Sequence, residues 1–280
     1  MIKYFQVKTW IKAEVNFLSF KMTKHALMIG LNYEDTKMAL NGCINDIHSM
    51  RDMITKKLGF QANNIVVMHD KLSHTSSLYP NKDNICVELK KMVNKCGKGD
   101  LLFLHYSGHG VKGIKSEECL YPSGASASKP QNYVCEDEIS KIVSKMHKEA
   151  NMFILSDSCN TKSIVDFTYV VTNVPGQKDQ YNLKKREGQK YEDGAEMVCL
   201  TATSGDQKAY DVIDTDGKAY GILTHVFCKM VNKALEKRQP LSYLDVLSEI
   251  TESTKSYKQT PMLSFSKRAC LTCYLSLMIK

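Results

Sequence analysis

Apolar residues along the chain fall into two alternating rhythms. Short unbroken runs, "HALMIGLNY" (25–33), "NIVVMHD" (64–70), "DLLFLHYS" (100–107), "MFILSD" (152–157) and "MVCLTATS" (197–204), read as strands buried on both faces. Between them the spacing changes to three and four. "INDIHSMRDMITKKLGF" puts Ile44, Ile47, Met50, Ile54 and Leu58 on one stripe, and "DNICVELKKMVNKC" does the same with Ile85, Leu89, Met92 and Cys96. Both stripes predict amphipathic helices, the second capped by Asp83 or Asn84 and stopped by "CGKGD". Further helices are expected over "EDEISKIVSKMHK", "AYGILTHVFCKMVNKALEK" and "LSYLDVLSEITESTKSY". Alternating strands and helices predict an α/β domain: an open, mostly parallel sheet with helices on both faces.

Two stretches break this rhythm. From Asn173 the chain reads "NVPGQKDQYNLKKREGQKYEDG", too long and too polar for an internal connection, and is expected to be an exposed, flexible basic loop. It divides a domain over 23–280 into a larger segment (23–172) and a smaller one (195–280), with the loop at 173–194. The first 22 residues carry the chain's one tryptophan, Trp10, and have no assigned role.

Composition narrows the function classes. With 280 residues and 43% hydrophobic content the chain can bury a sizeable core. The formal charge of +8 is spread over helical lysines without a basic-aromatic groove, so a nucleic-acid partner is not expected. Lys and Glu interrupt the apolar N-terminus every few positions, which excludes a signal peptide or membrane span there and points to a cytoplasmic protein. Ten cysteines without a secretory signal are expected to be reduced. Cys86, Cys96, Cys199 and Cys228 read as core packing, and the lone Cys270-x-x-Cys273 lacks the second pair a zinc site needs. No feature calls for an oligomer, and a monomer is expected.

Chemistry concentrates at two strand ends. In an open parallel sheet, ligands bind beyond the carboxyl ends of the strands. There "LLFLHY" runs into Ser107-Gly108-His109-Gly110, and "MFIL" runs into Ser156-Asp157-Ser158-Cys159. A thiol of ordinary pKa needs a neighbouring base to become a nucleophile, and His109 can supply it. Gly110 allows close approach to a substrate carbonyl and offers an N–H to a developing oxyanion. Either residue alone is better read as a turn histidine or a packed thiol; matched strand ends favour catalysis. A nucleotide-binding reading lacks its G-x-G-x-x-G after the first strand.

"HALMIGLNY", "ALNGCINDIHSM", "HYSGHG", "SDSC", "LTATSGDQKAYDV" and "YLDVLSEITESTKSYKQTPMLS", in this order from His25 to Lys267, resemble metacaspases. The resemblance implies a caspase-like fold and a cysteine endopeptidase that cuts basic peptide or protein substrates after Arg or Lys. It implies a substrate pocket lined by Asp46 and Asp157, with Ser107 contributing and Cys43 nearby. It also implies calcium, held by Asp137 and Asp166, with Glu136 and Glu117 (or its neighbour Glu118) in place of the family's aspartates. Self-cleavage would fall in the basic loop at Lys184, Lys185 or Arg186. The chain departs from the family after the cysteine: Asn160-Thr161-Lys162 replaces His-Ser-Gly. That substitution motivates the alternative of a weak or inactive homologue acting as a binding or regulatory protein.

Overall fold

The structure is a computed structural model and describes residues 22–159, 163–173, 180–186, 194–204, 207, 209–267, 273 and 275. Among the described residues, thirteen strands and five α-helices follow in chain order. They are β1 (Lys24–Gly30), α1 (Cys43–Lys57), β2 (Ile65–His69), α2 (Lys82–Lys95), β3 (Leu101–Gly108), β4 (Gly110–Lys112), β5 (Glu118–Leu120), β6 (Val134–Cys135) and α3 (Glu136–Val143). Then come β7 (Asn151–Ser158), β8 (Tyr169–Asn173), β9 (Tyr181–Lys185), β10 (Glu196–Thr201), β11 (Asp211–Ile213), β12 (Ala219–Gly221), α4 (Ile222–Lys237), α5 (Tyr243–Thr254) and β13 (Met262–Phe265).

Eight strands form the main sheet in the order β2-β1-β3-β7-β10-β13-β8-β9. The five apolar runs read from sequence are its five parallel members, and β13, β8 and β9 extend it antiparallel. Side-chain alternation explains why those runs are apolar throughout. Ala26, Met28, Phe103 and Phe153 point to the face covered by α1, α4 and α5, while Leu27, Ile29, Leu104 and Ile154 point to the face covered by α2 and α3. Every other residue therefore leaves water on a different side. Burial of such large side chains contributes about 1.5–3 kcal/mol each.

The α1 stripe is buried as its spacing predicts, with Ile47, Met50 and Ile54 fully enclosed. The second helix is capped two residues before the nearer of the expected caps: the Asn81 side chain accepts from the Asn84 N–H at 2.9 Å. That residue is extended, as a side-chain cap requires, whereas Asp83 and Asn84 already lie inside the helix.

Two sequence expectations need correction. Within the stretch expected to be a flexible loop, Tyr181–Lys185 forms the edge strand β9, paired with β8 from Tyr169↔Lys185 to Asn173↔Tyr181. Its lysines face water, which is how an edge strand is protected, and so the segment lacks the apolar signature of a buried strand. The thiols are not all reduced: Cys119 and Cys135 lie directly opposite each other in the β5–β6 ladder and are joined by a disulfide. Of the C-x-x-C pair, Cys270 lies outside the described residues. No helix among the described residues is long and apolar enough to cross a membrane.

Candidate active site

The register of β3 and β7 sets the centre of the site. Gly108 pairs with Ser158, so His109 and Cys159 are the next residues along two adjacent parallel strands and emerge over one edge of the sheet. Both are half-buried.

Each is gripped by groups from other loops. His109 Nε2 donates to the Met38 carbonyl at 2.7 Å, which puts the ring proton on Nε2 and makes Nδ1 the acceptor. The Tyr33 ring lies 4.8 Å from the imidazole, centroid to centroid. The His109 N–H donates to the Tyr33 hydroxyl at 3.1 Å, and the Tyr106 hydroxyl donates to the His109 carbonyl at 2.7 Å. The histidine is thus fixed at backbone and ring. Cys159 Sγ receives the Ala209 N–H at 3.1 Å and lies 3.7 Å from the Ala209 carbonyl. Gly110 opens β4 directly after the histidine. Residues 160–162, where the chain departs from the metacaspase pattern, lie outside the described residues.

Beside this pair is a buried acidic cluster, referred to below as the acidic hollow. Asp46 stands in the first turn of α1, and Gly30 lets that helix sit close: a Cβ there would lie 2.6 Å from the Cys43 carbonyl oxygen. The Ser107 hydroxyl donates to Asp46 Oδ2 at 2.6 Å, and the Gly221 N–H donates to Asp46 Oδ1 at 3.0 Å. Asp157 Oδ2 accepts from both the N–H and the hydroxyl of Thr224, each at 2.9 Å. Since the Thr224 hydroxyl is spent on Asp157, it must accept from His105 Nε2, 3.2 Å away. His105 is fully enclosed and neutral, its pKa lowered to about 3 by burial. Gly221 fits between the two carboxylates; a Cβ on it would strike Asp157 Oδ2 and lie 2.9 Å from Asp46 Oδ2.

All these donors are neutral, so the negative charge is uncompensated. Among the described residues, no lysine or arginine pairs with Asp46 or Asp157. Burial, then the charge of Asp157, hold the Asp46 carboxyl well above the usual range. Burial pushes Asp157 up to about 6, against the pull of the Thr224 donors. Cys43, buried beside them, has its thiol pKa raised by burial and then by Asp46. Asp211 pairs with Gly221 across the β11–β12 hairpin and adds a third negative charge at the rim.

A second acidic cluster lies at the start of α3. Glu136 is pushed up to about 7 by burial and the neighbouring charges of Asp166 and Glu118. Arg186, one residue beyond β9, places Nη1 3.1 Å from Asp166 Oδ1 and anchors its own N–H on the Thr168 carbonyl at 2.8 Å. The other two acids expected here stand apart. Asp137 is exposed on the outside of the helix. Glu117 accepts the Lys115 N–H at 2.7 Å and turns towards Cys119 and Cys135, while its neighbour Glu118 acts on Glu136. Adjacent residues of an extended chain point to opposite sides, so only one of the two can join the cluster.

Sequence reasoning missed Tyr33, Met38, Thr224, Gly221, Asp211 and His105. Of these, only the aspartate had a legible signal, a carboxylate in "AYDV" after a strand end; Met38 and Gly221 act through backbone atoms, His105 from a buried strand, and Tyr33 and Thr224 through hydroxyls that no sequence pattern sets apart.

An open parallel sheet with cysteine and histidine on neighbouring strand ends is of the caspase-like α/β class. A crystal structure of a Geobacter sulfurreducens protein shares the fold, with a TM-score of 0.62 over 90% of this chain and 97% of that one at 18% identity. Residues 24–168 match the family described as metacaspase, peptidase C14 domain. Metacaspase-2 of Trypanosoma brucei brucei is 31% identical over 88% of this chain and 74% of its own. Metacaspase-6 and Metacaspase-4 of Arabidopsis thaliana are each 34% identical over 52% of this chain, which spans 40% and 35% of their lengths. The chain belongs to the metacaspase family.

Proposed function

We propose that the protein is a cysteine endopeptidase that cleaves after Arg or Lys. The observation that carries this reading is the placement of an uncompensated pair of buried carboxylates beside a cysteine and a histidine on adjacent strand ends. A long cationic side chain entering the hollow would meet Asp46 and Asp157, and a charge pair at close range is worth a few kcal/mol at an intermediate effective dielectric.

His109 Nδ1 takes the thiol proton, and Cys159 sulfur attacks the carbonyl carbon of the basic residue. The C=O electron pair moves onto oxygen, which receives the N–H groups of Cys159 and Gly110. As the intermediate collapses, the C–N bond breaks and the imidazolium returns its proton to the departing amine. Water, deprotonated by the same imidazole, then hydrolyses the thioester. Holding Nε2 on the Met38 carbonyl keeps the imidazole in one tautomer and one orientation through both steps.

Calcium stimulation belongs to the same proposal. Glu118, Glu136 and Asp166 offer the carboxylate oxygens that calcium prefers. The ion would be held there, with Arg186 giving up Asp166. Self-processing after Lys184, Lys185 or Arg186 would require β9 to peel away from β8, since a protease needs its substrate as a free extended chain. A cytoplasmic, monomeric enzyme remains part of this reading.

Peptides ending in Arg- or Lys-aminocoumarin, assayed with and without calcium beside Cys159→Ala, test it. Turnover that depends on Cys159 and fails with Asp- or Ala-terminated peptides supports the proposal. Absence of turnover at every calcium concentration would favour a binding role.

A further inference from the structure

A cavity of about 500 Å³ is lined by Tyr33 and Met38, the two residues that contact the His109 ring. It is formed by the loops that follow β1, β2 and β5, and includes Tyr33, Glu34, Asp35, Met38, Asp70 and Tyr121. None of the hydrolytic steps uses it.

Yet it is built from the residues that hold the histidine. The Tyr33 ring packs against the imidazole at a 32° tilt, the Met38 carbonyl accepts its Nε2 proton, and the Tyr33 hydroxyl donates to the Tyr121 carbonyl at 2.6 Å. The β1 loop is held in an uncommon shape: Tyr33 and Asp35 adopt φ of 51° and 62°, a left-handed conformation that side chains other than glycine seldom take. Asp70 maintains it by accepting the N–H groups of Asn32 and Tyr33 at 3.2 and 2.6 Å. Such over-determined strain is characteristic of binding sites.

The path of a substrate links cavity and histidine. With a basic side chain in the hollow and its carbonyl carbon on Cys159, the departing nitrogen must reach His109 to be protonated. The hollow belongs to the face covered by α1 and α4, whereas Tyr33 packs with the α2 and α3 face. The chain beyond the scissile bond therefore crosses the imidazole towards Tyr33. At about 3.3–3.6 Å per extended residue, one or two residues suffice to reach the cavity.

Its chemistry selects the guest. Tyr33, Tyr79 and Tyr121 present ring surface, and Glu34, Asp35 and Asp70 present carboxylates. The cation among the lining residues, Lys71, already pairs with Glu34 at 2.8 Å. Aromatic faces next to net negative charge favour an ammonium or guanidinium.

We propose that this cavity is a substrate subsite for a basic side chain one or two positions beyond the cleaved bond, so that the preferred substrates carry basic residues on both sides of the cut. This rests on the peptidase reading above.

Internally quenched peptides with Arg before the cut and Lys, Ala or Asp at the next two positions test it. Each rate is normalised to the same protein's turnover of an Arg-aminocoumarin, which has no residues beyond the cut. Lys is expected to exceed Ala by about tenfold in kcat/KM, and Glu34→Gln with Asp35→Asn to bring that ratio towards one. Equal rates for the three peptides, with the aminocoumarin cleaved, would overturn the subsite and leave the peptidase standing. If neither type is cleaved, the peptidase reading fails, and the cavity is judged by titrating the Arg-Lys-Lys and Arg-Ala-Ala peptides into Cys159→Ala. At least fivefold tighter binding of the lysine peptide, lost in the Glu34→Gln, Asp35→Asn background, supports the site; equal affinities overturn it.

Discussion

The two acidic clusters are made of the same chemistry and treated in opposite ways. At the hollow beside Cys159, Asp46 and Asp157 are buried against neutral donors from Ser107, Gly221 and Thr224. At the start of α3, Asp166 already holds the Arg186 guanidinium. Burying carboxylates without a counter-ion costs several kcal/mol unless a cation arrives. Among the described residues the first cluster meets no cation, while the second is met by one from within the chain. An external cation would therefore meet the first cluster without displacing a side-chain cation among the described residues, whereas at the second it would compete with Arg186.

The largest effect that sharpens this contrast is at the nucleophile. Cys159→Ala should lower turnover of Arg peptides by at least about 10³-fold, and calcium titration of the variant should match the parent. Next comes the hollow itself: Asp46→Asn should reduce kcat/KM for Arg and Lys peptides on the order of 10²-fold, again with parental calcium binding. If both properties fell together, the two clusters would be one unit and the contrast would break.

A pH effect of about tenfold separates the clusters in another way. Asp157 has its pKa raised from 3.8 to about 6, so its carboxyl still holds its proton at pH 5 and has lost it by pH 7.5. Benzamidine binding, followed by calorimetry, should therefore strengthen about tenfold across that interval. The same raised pKa means that this group's contribution to stability is present below about pH 4 and lost as pH rises through 6. A bound cation should restore it, seen as a larger rise in Tm with benzamidine at pH 7.5 than at pH 5.

The smallest effect is expected at Arg186. Arg186→Ala should tighten calcium binding by about fivefold, read directly by calorimetry, because a half-exposed guanidinium pair of this kind is worth about 1 kcal/mol. Unchanged affinity would mean that Arg186 does not compete for the cluster.

Much of this was legible in the sequence, and the reasons differ by element. The five parallel strands were readable because burial on both faces makes them apolar throughout, and α1 because its stripe runs cleanly from Ile44 to Leu58. Their ends announced His109 and Cys159. Strand β9 was hidden because an exposed edge is written in lysine and asparagine like a loop. The disulfide was hidden because its partners become neighbours only through the β5–β6 register, sixteen positions apart. Met38 and Ala209 touch His109 and Cys159 through backbone atoms, which no side-chain pattern records. Asp166 was expected to hold calcium, and its pairing with Arg186 was not legible, since it depends on where β9 ends.

The most direct test of the central claim is covalent labelling of Cys159 by a peptidyl-arginine acyloxymethyl ketone, mapped by mass spectrometry and compared with the citrulline reagent, which has the same shape without the charge. Selective modification of Cys159 by the arginine reagent is expected, at least tenfold faster than by citrulline, with that preference lost in Asp46→Asn. Equal rates for the two reagents, or labelling directed to another cysteine, would contradict it.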